Sequence, residues 1–255
     1  MDLTLIKLDV TDHIALVTMD APPVNAQNAQ FNLEMAYVFD AISDRDDIRV
    51  AVLTGAGKVF SAGPDMKARG NLGDPGEKWQ HSRRARESYH AIRECQKPVI
   101  AAINGPALGA GLAVVASCDI LVAAEEASLG LPEIDVGLLG GGKHGQRLFG
   151  HSTLRRMMLT GYRMPGPELY RLGIVEACVP REDVVEAAMA IARTIAEKSP
   201  AAIRLAKQSL NTIEDMSLRD GYRYEQSMTA QLAGHPDSKE AAAAFLEKRK
   251  PNFGG

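Results

Sequence analysis

Val99-Ile100-Ala101-Ala102-Ile103-Asn104-Gly105-Pro106-Ala107-Leu108-Gly109-Ala110-Gly111 runs from five apolar residues into a turn of small ones. The apolar run is too short for a buried helix and suits a strand covered on both faces, as in a parallel sheet. A helical stretch at 109–117 and another apolar run at 119–124 follow. Upstream, Val50-Ala51-Val52-Leu53-Thr54 leads into a second small-residue turn, Phe60-Ser61-Ala62-Gly63-Pro64-Asp65, and a helical stretch at 77–95. The order is β-α-β-α-β, and the class is α/β.

Both turns precede a carboxylate, Glu133, in Gly130-Leu131-Pro132-Glu133. Glycine and alanine let backbone N–H groups approach a bound oxygen, and paired N–H groups stabilise a developing oxyanion. Helix N-termini add unsatisfied N–H groups and a positive dipole end. A carboxylate near such a pair is a candidate proton shuttle. Any one of these turns is equally a plain strand-to-helix connection. Taken together they suggest an enzyme acting next to a carbonyl.

On either side of this centre, residues 3–8 and 14–19 read as a hairpin turning at Thr11-Asp12-His13. Residues 28–43 place Phe31, Met35, Val38, Phe39 and Ile42 at helical spacing. From about residue 150 the pattern is helical throughout. Asp183 and Glu186 resemble a capping box before the stripe Val184, Ala188, Ile191, Ala192 and Ile195. Ser199-Pro200 starts another helix, and 217–232 and 237–249 complete the series, broken at Gly234-His235-Pro236-Asp237. The chain divides into a core over 1–195 and a helical region over 196–255, which packs on the core or on a neighbouring subunit.

Size and composition fit an ordinary globular protein: 255 residues, 45% hydrophobic and 24% charged. A net charge of −3 gives no reason to expect nucleic acid as a partner. The basic run Ser82-Arg83-Arg84-Ala85-Arg86, with Glu77, Glu87 and Glu94 around it, reads as a solvated helix face or a local anion contact. Cys95, Cys118 and Cys178 are too few and unpatterned for a disulfide framework or a metal site. No signal peptide or membrane-length apolar run is visible, so the expectation is a cytoplasmic protein that binds no membrane and no metal.

Two phosphate-binding readings fail, one on spacing and one on residue identity. Gly105, Gly109 and Gly111 follow Gly-x-x-x-Gly-x-Gly, not the dinucleotide fingerprint. Gly137 to Gly142-Lys143 satisfies most of a phosphate-binding loop, but His144 stands where Ser or Thr must ligate Mg²⁺. The preceding Leu131-Pro132-Glu133-Ile134-Asp135 also makes a poor central strand.

These residues resemble the enoyl-CoA hydratase/isomerase (crotonase) superfamily along nearly the whole chain. Residues 60–65 are similar to its first oxyanion-hole signature and residues 98–111 to its second. Ala116-Ser117-Cys118-Asp119, Leu131-Pro132-Glu133, Gly137, Gln146-Arg147-Leu148 and Thr160-Gly161 follow in family order, and Phe245 to Pro251 resembles the terminal segment. The resemblance implies a spiral of β-β-α units, a homotrimer or dimer of trimers, and an acyl-CoA substrate with no further cofactor. Carried over by position, the N–H groups of Ala62 and Ala110 hold the thioester oxygen, Glu133 is the acid/base, and Gly141 lies near a reacting water. CoA contacts fall to Asn25, Ala26, Phe60, Ser61, Gly63, Pro64, Asp65, Met66 and Gly109, with Lys248 at the phosphates or simply an exposed helix-end lysine.

One departure matters. The family's two-carboxylate hydratases carry a first glutamate where this chain has Ala113. With Glu133 alone, a one-base relay is the expectation: hydration or a double-bond shift, with hydratase-lyase, thioester hydrolysis and decarboxylation as alternatives. A non-catalytic scaffold that binds CoA esters is the reading of another class. Asp135, in an extended segment, points away from Glu133. His144 is either a catalytic or substrate-contacting group or a helix-start residue facing solvent or an interface. His81, Tyr89 and His90 fall on the segment that covers the acyl pocket in relatives.

Overall fold

The computed structural model describes residues 1–70 and 73–253, the side chains of residues 69 and 70 excepted. Strands β1 (Ile6–Thr11) and β2 (Ile14–Met19) form the expected hairpin. Asp12 and His13 both take left-handed angles (φ 50° and 66°) in its two-residue turn, which follows the twist of the strands. Pairing starts at Ile6 instead of Leu3, because the N–H groups of Thr4 and Leu5 donate to the Glu34 carboxylate (3.0 and 2.8 Å). After β3 (Ala26–Gln27), Asn28 caps α1 (Ala29–Asp44) by accepting from the Phe31 N–H at 2.9 Å. The five predicted apolar positions of α1 are all buried.

The centre is parallel. β4 (Val50–Gly55) pairs with β2, and β5 (Gly63–Pro64) pairs with β3 before α2 (Met66–Gly70) and α3 (Pro75–Glu94). β6 (Val99–Ile103), β7 (Ala107–Leu108), α4 (Ala110–Ser117), β8 (Ile120–Ala124) and β9 (Ser128–Gly130) follow. A 3₁₀ turn at Pro132–Val136 leads to α5 (Gly142–Leu148) and α6 (His151–Thr160), then β10 (Arg163–Pro165), α7 (Gly166–Arg171) and β11 (Ala177–Val179). The main sheet runs β1-β2-β4-β6-β8-β11, beside a small sheet β10-β9-β7 and the pair β3-β5. Both faces of β4 and β6 are covered, which is why their sequences are apolar without alternation.

The all-helical reading beyond residue 150 needs correction, since β10 and β11 lie there, antiparallel to β9 and parallel to β8. Three residues each, they are too short to display an alternation. The helix α8 (Val184–Ala196) packs on β4, β6 and β8 through Val184, Ala188 and Ala192. Its expected capping box is absent. Arg181–Asp183 forms a 3₁₀ turn that runs into the helix, so Asp183 has helical angles and caps nothing, and Glu186 pairs with Arg193 instead.

The helices α9 (Pro200–Ile213), α10 (Leu218–Ala233) and α11 (Pro236–Glu247) close the chain. Ser199 caps α9 through the Ala202 N–H at 3.0 Å. Lys207 anchors α9 to the core, pairing with Asp119 at 2.8 Å and donating to the Lys97 carbonyl at 3.0 Å. Arg49 on β4's approach donates to the carbonyls of Ala196 and Phe253. Positions 254 and 255 of the expected C-terminal region lie outside the described residues. Among the described residues no helix is long and apolar enough to cross a membrane, no cluster suits a metal ion, and the three cysteines are free.

Candidate active site

The two small-residue turns are sewn to each other. The Phe60 and Ser61 N–H groups both donate to the Pro106 carbonyl (3.1 and 3.2 Å), and the Leu108 N–H donates to the Ser61 carbonyl at 3.0 Å. Gly111 permits this approach, because a Cβ there would lie 2.3 Å from the Ser61 carbonyl oxygen. Asn25, itself left-handed (φ 52°), clamps the first turn: its Nδ2 lies 2.8–3.2 Å from the carbonyls of Ala56, Val59 and Phe60, and its Oδ1 accepts from the Ala21 N–H. The Ser61 hydroxyl donates to the Asn25 carbonyl and accepts from Gln27 Nε2 at 3.1 Å.

These bonds hold the two turns and their supports in place. Asn25, Phe60 and Ser61 have their polar groups committed to holding the turns, and all three are buried. Asp65 caps α2 by accepting from the Lys67 and Ala68 N–H groups. Met66 is exposed, and Lys248 ends α11 in a left-handed conformation on the surface. Ala26 is half-buried on β3.

One correction concerns the backbone donors. The Ala62 N–H donates to the Val24 carbonyl at 3.0 Å, so the strand pairing of this turn absorbs it. Pro64, two residues on, is the turn's residue on the neighbouring cavity, and proline has no N–H. Its Cδ, which replaces the amide hydrogen, lies 3.7 Å from the place of a Cβ on Gly109. Ala110 opens α4, where first-turn N–H groups have no intrahelical acceptor.

That cavity, about 550 Å³, brings together Pro64, Ala110, Ala113, Glu133, Gly140, Gly141 and His144. Glu133 rides on the 3₁₀ turn after Leu131 and is the only carboxylate lining the cavity among the described residues. Its Oε1 lies 2.6 Å from the place of a Cβ on Gly109, a close approach that the glycine permits, with φ +55° and ψ −117°. Asp135 points away as expected, though for a different reason. The segment is a 3₁₀ turn, and the Asp135 carboxylate lies against Gly161. Gly141 is left-handed (φ 75°) and packs so closely on Leu131 that a Cβ there would lie 2.5 Å from it.

His144, on the first turn of α5, faces the cavity and not open solvent. Its ring meets Tyr89 of α3 edge-on, with centroids 5.4 Å apart. Burial lowers its pKa below the usual histidine value, and His90, Arg147 and Arg93 push in the same direction. Tyr89 is buried, which raises its pKa, as does the Glu133 charge; the phenol stays neutral and donates to Gln27 Oε1 at 3.1 Å. His81 lines the same cavity, while His90 is exposed and borders a small polar pocket shared with His144. Gln27, Asn32 and Lys78 line the main cavity without having been singled out in the sequence, and Arg86 joins them. Gln27 and Asn32 sit in or beside apolar patterns and carry no motif. Arg86 belongs to the basic run.

A family model described as enoyl-CoA hydratase/isomerase matches residues 9–255. The chain is 35% identical over 235 residues to (7aS)-7a-methyl-1,5-dioxo-2,3,5,6,7,7a-hexahydro-1H-indene-carboxyl-CoA hydrolase of Mycobacterium tuberculosis, covering 92% of this chain and 95% of that one. It is 33% identical to carnitinyl-CoA dehydratase of Salmonella arizonae, with 98% of each covered. The crystal structure of an enoyl-CoA hydratase from Bacillus anthracis superposes with a TM-score of 0.93 at 32% identity, covering 98% of this chain and 99% of that one.

Proposed function

The chain belongs to the enoyl-CoA hydratase/isomerase family, and we propose that it moves a proton at the carbon next to an acyl-CoA carbonyl with Glu133 as acid and base. The observation that carries this reading is the contact between Glu133 and the Gly109-Ala110 turn: the carboxylate stands beside the helix start that would hold the thioester oxygen. The Ala110 N–H donates to that oxygen and draws charge onto it as the α-proton leaves, aided by the positive end of α4. Glu133 accepts the proton and returns it to the same face, which suits a double-bond shift. Hydration needs it to orient a water as well. Gly141 is the place for that water. The chain's own site supplies all these groups, and CoA enters as part of the substrate.

The one-carboxylate site favours isomerisation, because Ala113 offers only a methyl where a second acid would share the work of hydration. The Mycobacterium tuberculosis relative is named a CoA-ester hydrolase, so hydrolysis is the second reading. Acyl-CoA thioesters incubated in D₂O and in ¹⁸O-water, read by mass spectrometry, separate them. Deuterium alone means isomerase, ¹⁸O at the β-carbon means hydratase, and ¹⁸O in a free acid means hydrolase. Binding of CoA esters with no exchange at all would mean a scaffold and would end the enzymatic reading.

The exposed apolar residues Leu210, Leu218, Tyr222, Phe245 and Leu246 on the C-terminal helices support self-association as a trimer or dimer of trimers. In this reading residues 1–195 hold the CoA-ester site and 196–255 pack against both the core and a neighbouring copy. Sedimentation at several concentrations tests it, and a monomer throughout would rule it out.

A further inference from the structure

Asn32 is the amide that the interior leaves half-satisfied. It sits on α1 between the buried Phe31 and Met35, is 1% exposed, and lines the cavity that holds Glu133. Its amide oxygen lies 3.1 Å from the Ser88 hydroxyl oxygen, which also lies 2.8 Å from the Ala85 carbonyl. Ser88 has one proton for two neighbours. If it goes to Asn32, the Asn32 NH₂ is left without a protein partner among the described residues. If it goes to Ala85, the amide must turn its NH₂ to Ser88, and the carbonyl is left. Either way, one half of a buried amide faces the cavity and calls for a hydrogen bond from outside the protein.

Tyr89 and Gln27, on the same wall, do not answer that call. Tyr89 donates to Gln27 Oε1, and Gln27 Nε2 donates onward to Ser61, so this chain is closed within the wall. Ala113 contributes only a methyl. A plain alkyl chain entering here would strip Asn32 of water and return nothing, which is costly for a buried polar group. A hydroxyl, able to donate and accept, satisfies the amide in both orientations. A carbonyl oxygen satisfies one.

We propose that Asn32 is a specificity-determining residue that selects acyl groups bearing a hydroxyl or carbonyl oxygen along the chain, over unsubstituted alkyl acyl groups. This rests on the cavity being the acyl-CoA site proposed above.

Calorimetric titration with saturated acyl-CoA thioesters, each paired with a hydroxy- or oxo-substituted counterpart of equal length, tests it. The wild type should bind at least one oxygenated member about tenfold more tightly than its alkyl partner, the discrimination expected when a site's buried polar group is paired or left unpaired. Asn32→Leu should erase or invert that preference while alkyl-CoA binding is kept. Asn32→Ala serves as the second variant if leucine disturbs α1. Tight binding of alkyl and oxygenated esters without discrimination overturns the role of Asn32 and leaves the acyl-CoA reading intact. A preference that persists unchanged in a folded Asn32 variant also overturns it. Failure of every CoA ester to bind removes both readings together.

Discussion

Gly109 and Glu133 approach so closely that a Cβ on the glycine would lie 2.6 Å from the carboxylate oxygen. The backbone at Gly109 is also in a region that side chains avoid, with φ +55° and ψ −117°. Gly109→Ala therefore meets both strain and a collision with Glu133. Turnover should fall by about 10²-fold or more, as expected when a reacting group is misplaced by an ångström. A circular dichroism spectrum like the wild type's with activity lost would place the effect on Glu133. Wild-type activity in the variant would remove the contact from the mechanism.

Glu133→Gln keeps the size of the side chain and removes its basicity. Deuterium exchange at the α-carbon should vanish while CoA-ester affinity is kept within a few-fold, because the proton transfer alone is lost. Exchange at the wild-type rate would rule out Glu133 as the acid/base.

Pro64 withholds a donor where the turn borders the cavity. Pro64→Ala supplies an N–H in place of Cδ, on the side that faces Gly109 and Glu133. One oxyanion donor is worth about 10²–10³ in rate where its geometry is ideal. An unoptimised donor should still raise kcat several-fold, with little change in KM. Steady-state kinetics decides the matter, and a lower kcat would show that the proline ring itself shapes the site.

The parts legible in the sequence were those written as runs or caps: the apolar strands at 50–54 and 98–103, the stripe of α1, and the Ser199-Pro200 start of α9. Glu133, Ala110, Gly141 and His144 line one cavity. The small-residue turns and the carboxylate are visible as residues, the places of Ala110 and Gly141 come with the family resemblance, and the sequence leaves His144 open between the site and the surface. Gln27 and Asn32 were not legible, since a polar residue within an apolar stretch has no periodic signal of its own. The commitment of the Ala62 N–H to Val24 was also out of reach, because it depends on a two-strand pairing, β3 with β5, too short to write a pattern. Each three-residue strand, β10 and β11, was missed for the same reason.

Glu34 ties the N-terminal segment to α1. Burial alone would raise its pKa, but hydrogen bonds from the Thr4 hydroxyl, Gln30 and the Leu5 and Thr4 N–H groups outweigh it and hold the carboxyl at about 2. The folded value lies below the ordinary 4.5, so this contribution to stability is fully present above about pH 4.5 and is lost as pH falls toward 2. Glu34→Gln should cost about 1–3 kcal/mol at neutral pH. It should also flatten the acid limb of the stability curve. Urea unfolding across that range measures both, and an unchanged acid limb would contradict the assignment.

His144 carries the last expectation. Burial, with His90, Arg147 and Arg93 adding to it, holds its folded pKa below 6.5, so the ring is neutral at neutral pH. A neutral imidazole against Tyr89 can donate or accept a hydrogen bond but does not neutralise a negative charge. Activity that depends on the neutral ring should persist down through pH 6.5 and fall only below it. Stability linked to the same group is fully present above pH 6.5 and declines as pH drops through the folded pKa. His144→Ala should lose less rate than Glu133→Gln and should remove that acid limb of the pH–rate profile. Retention of the limb and of the wild-type product mixture would leave His144 a packing residue of α5. A His144 ring titrating at or above 6.5 by NMR would contradict its buried, neutral state directly.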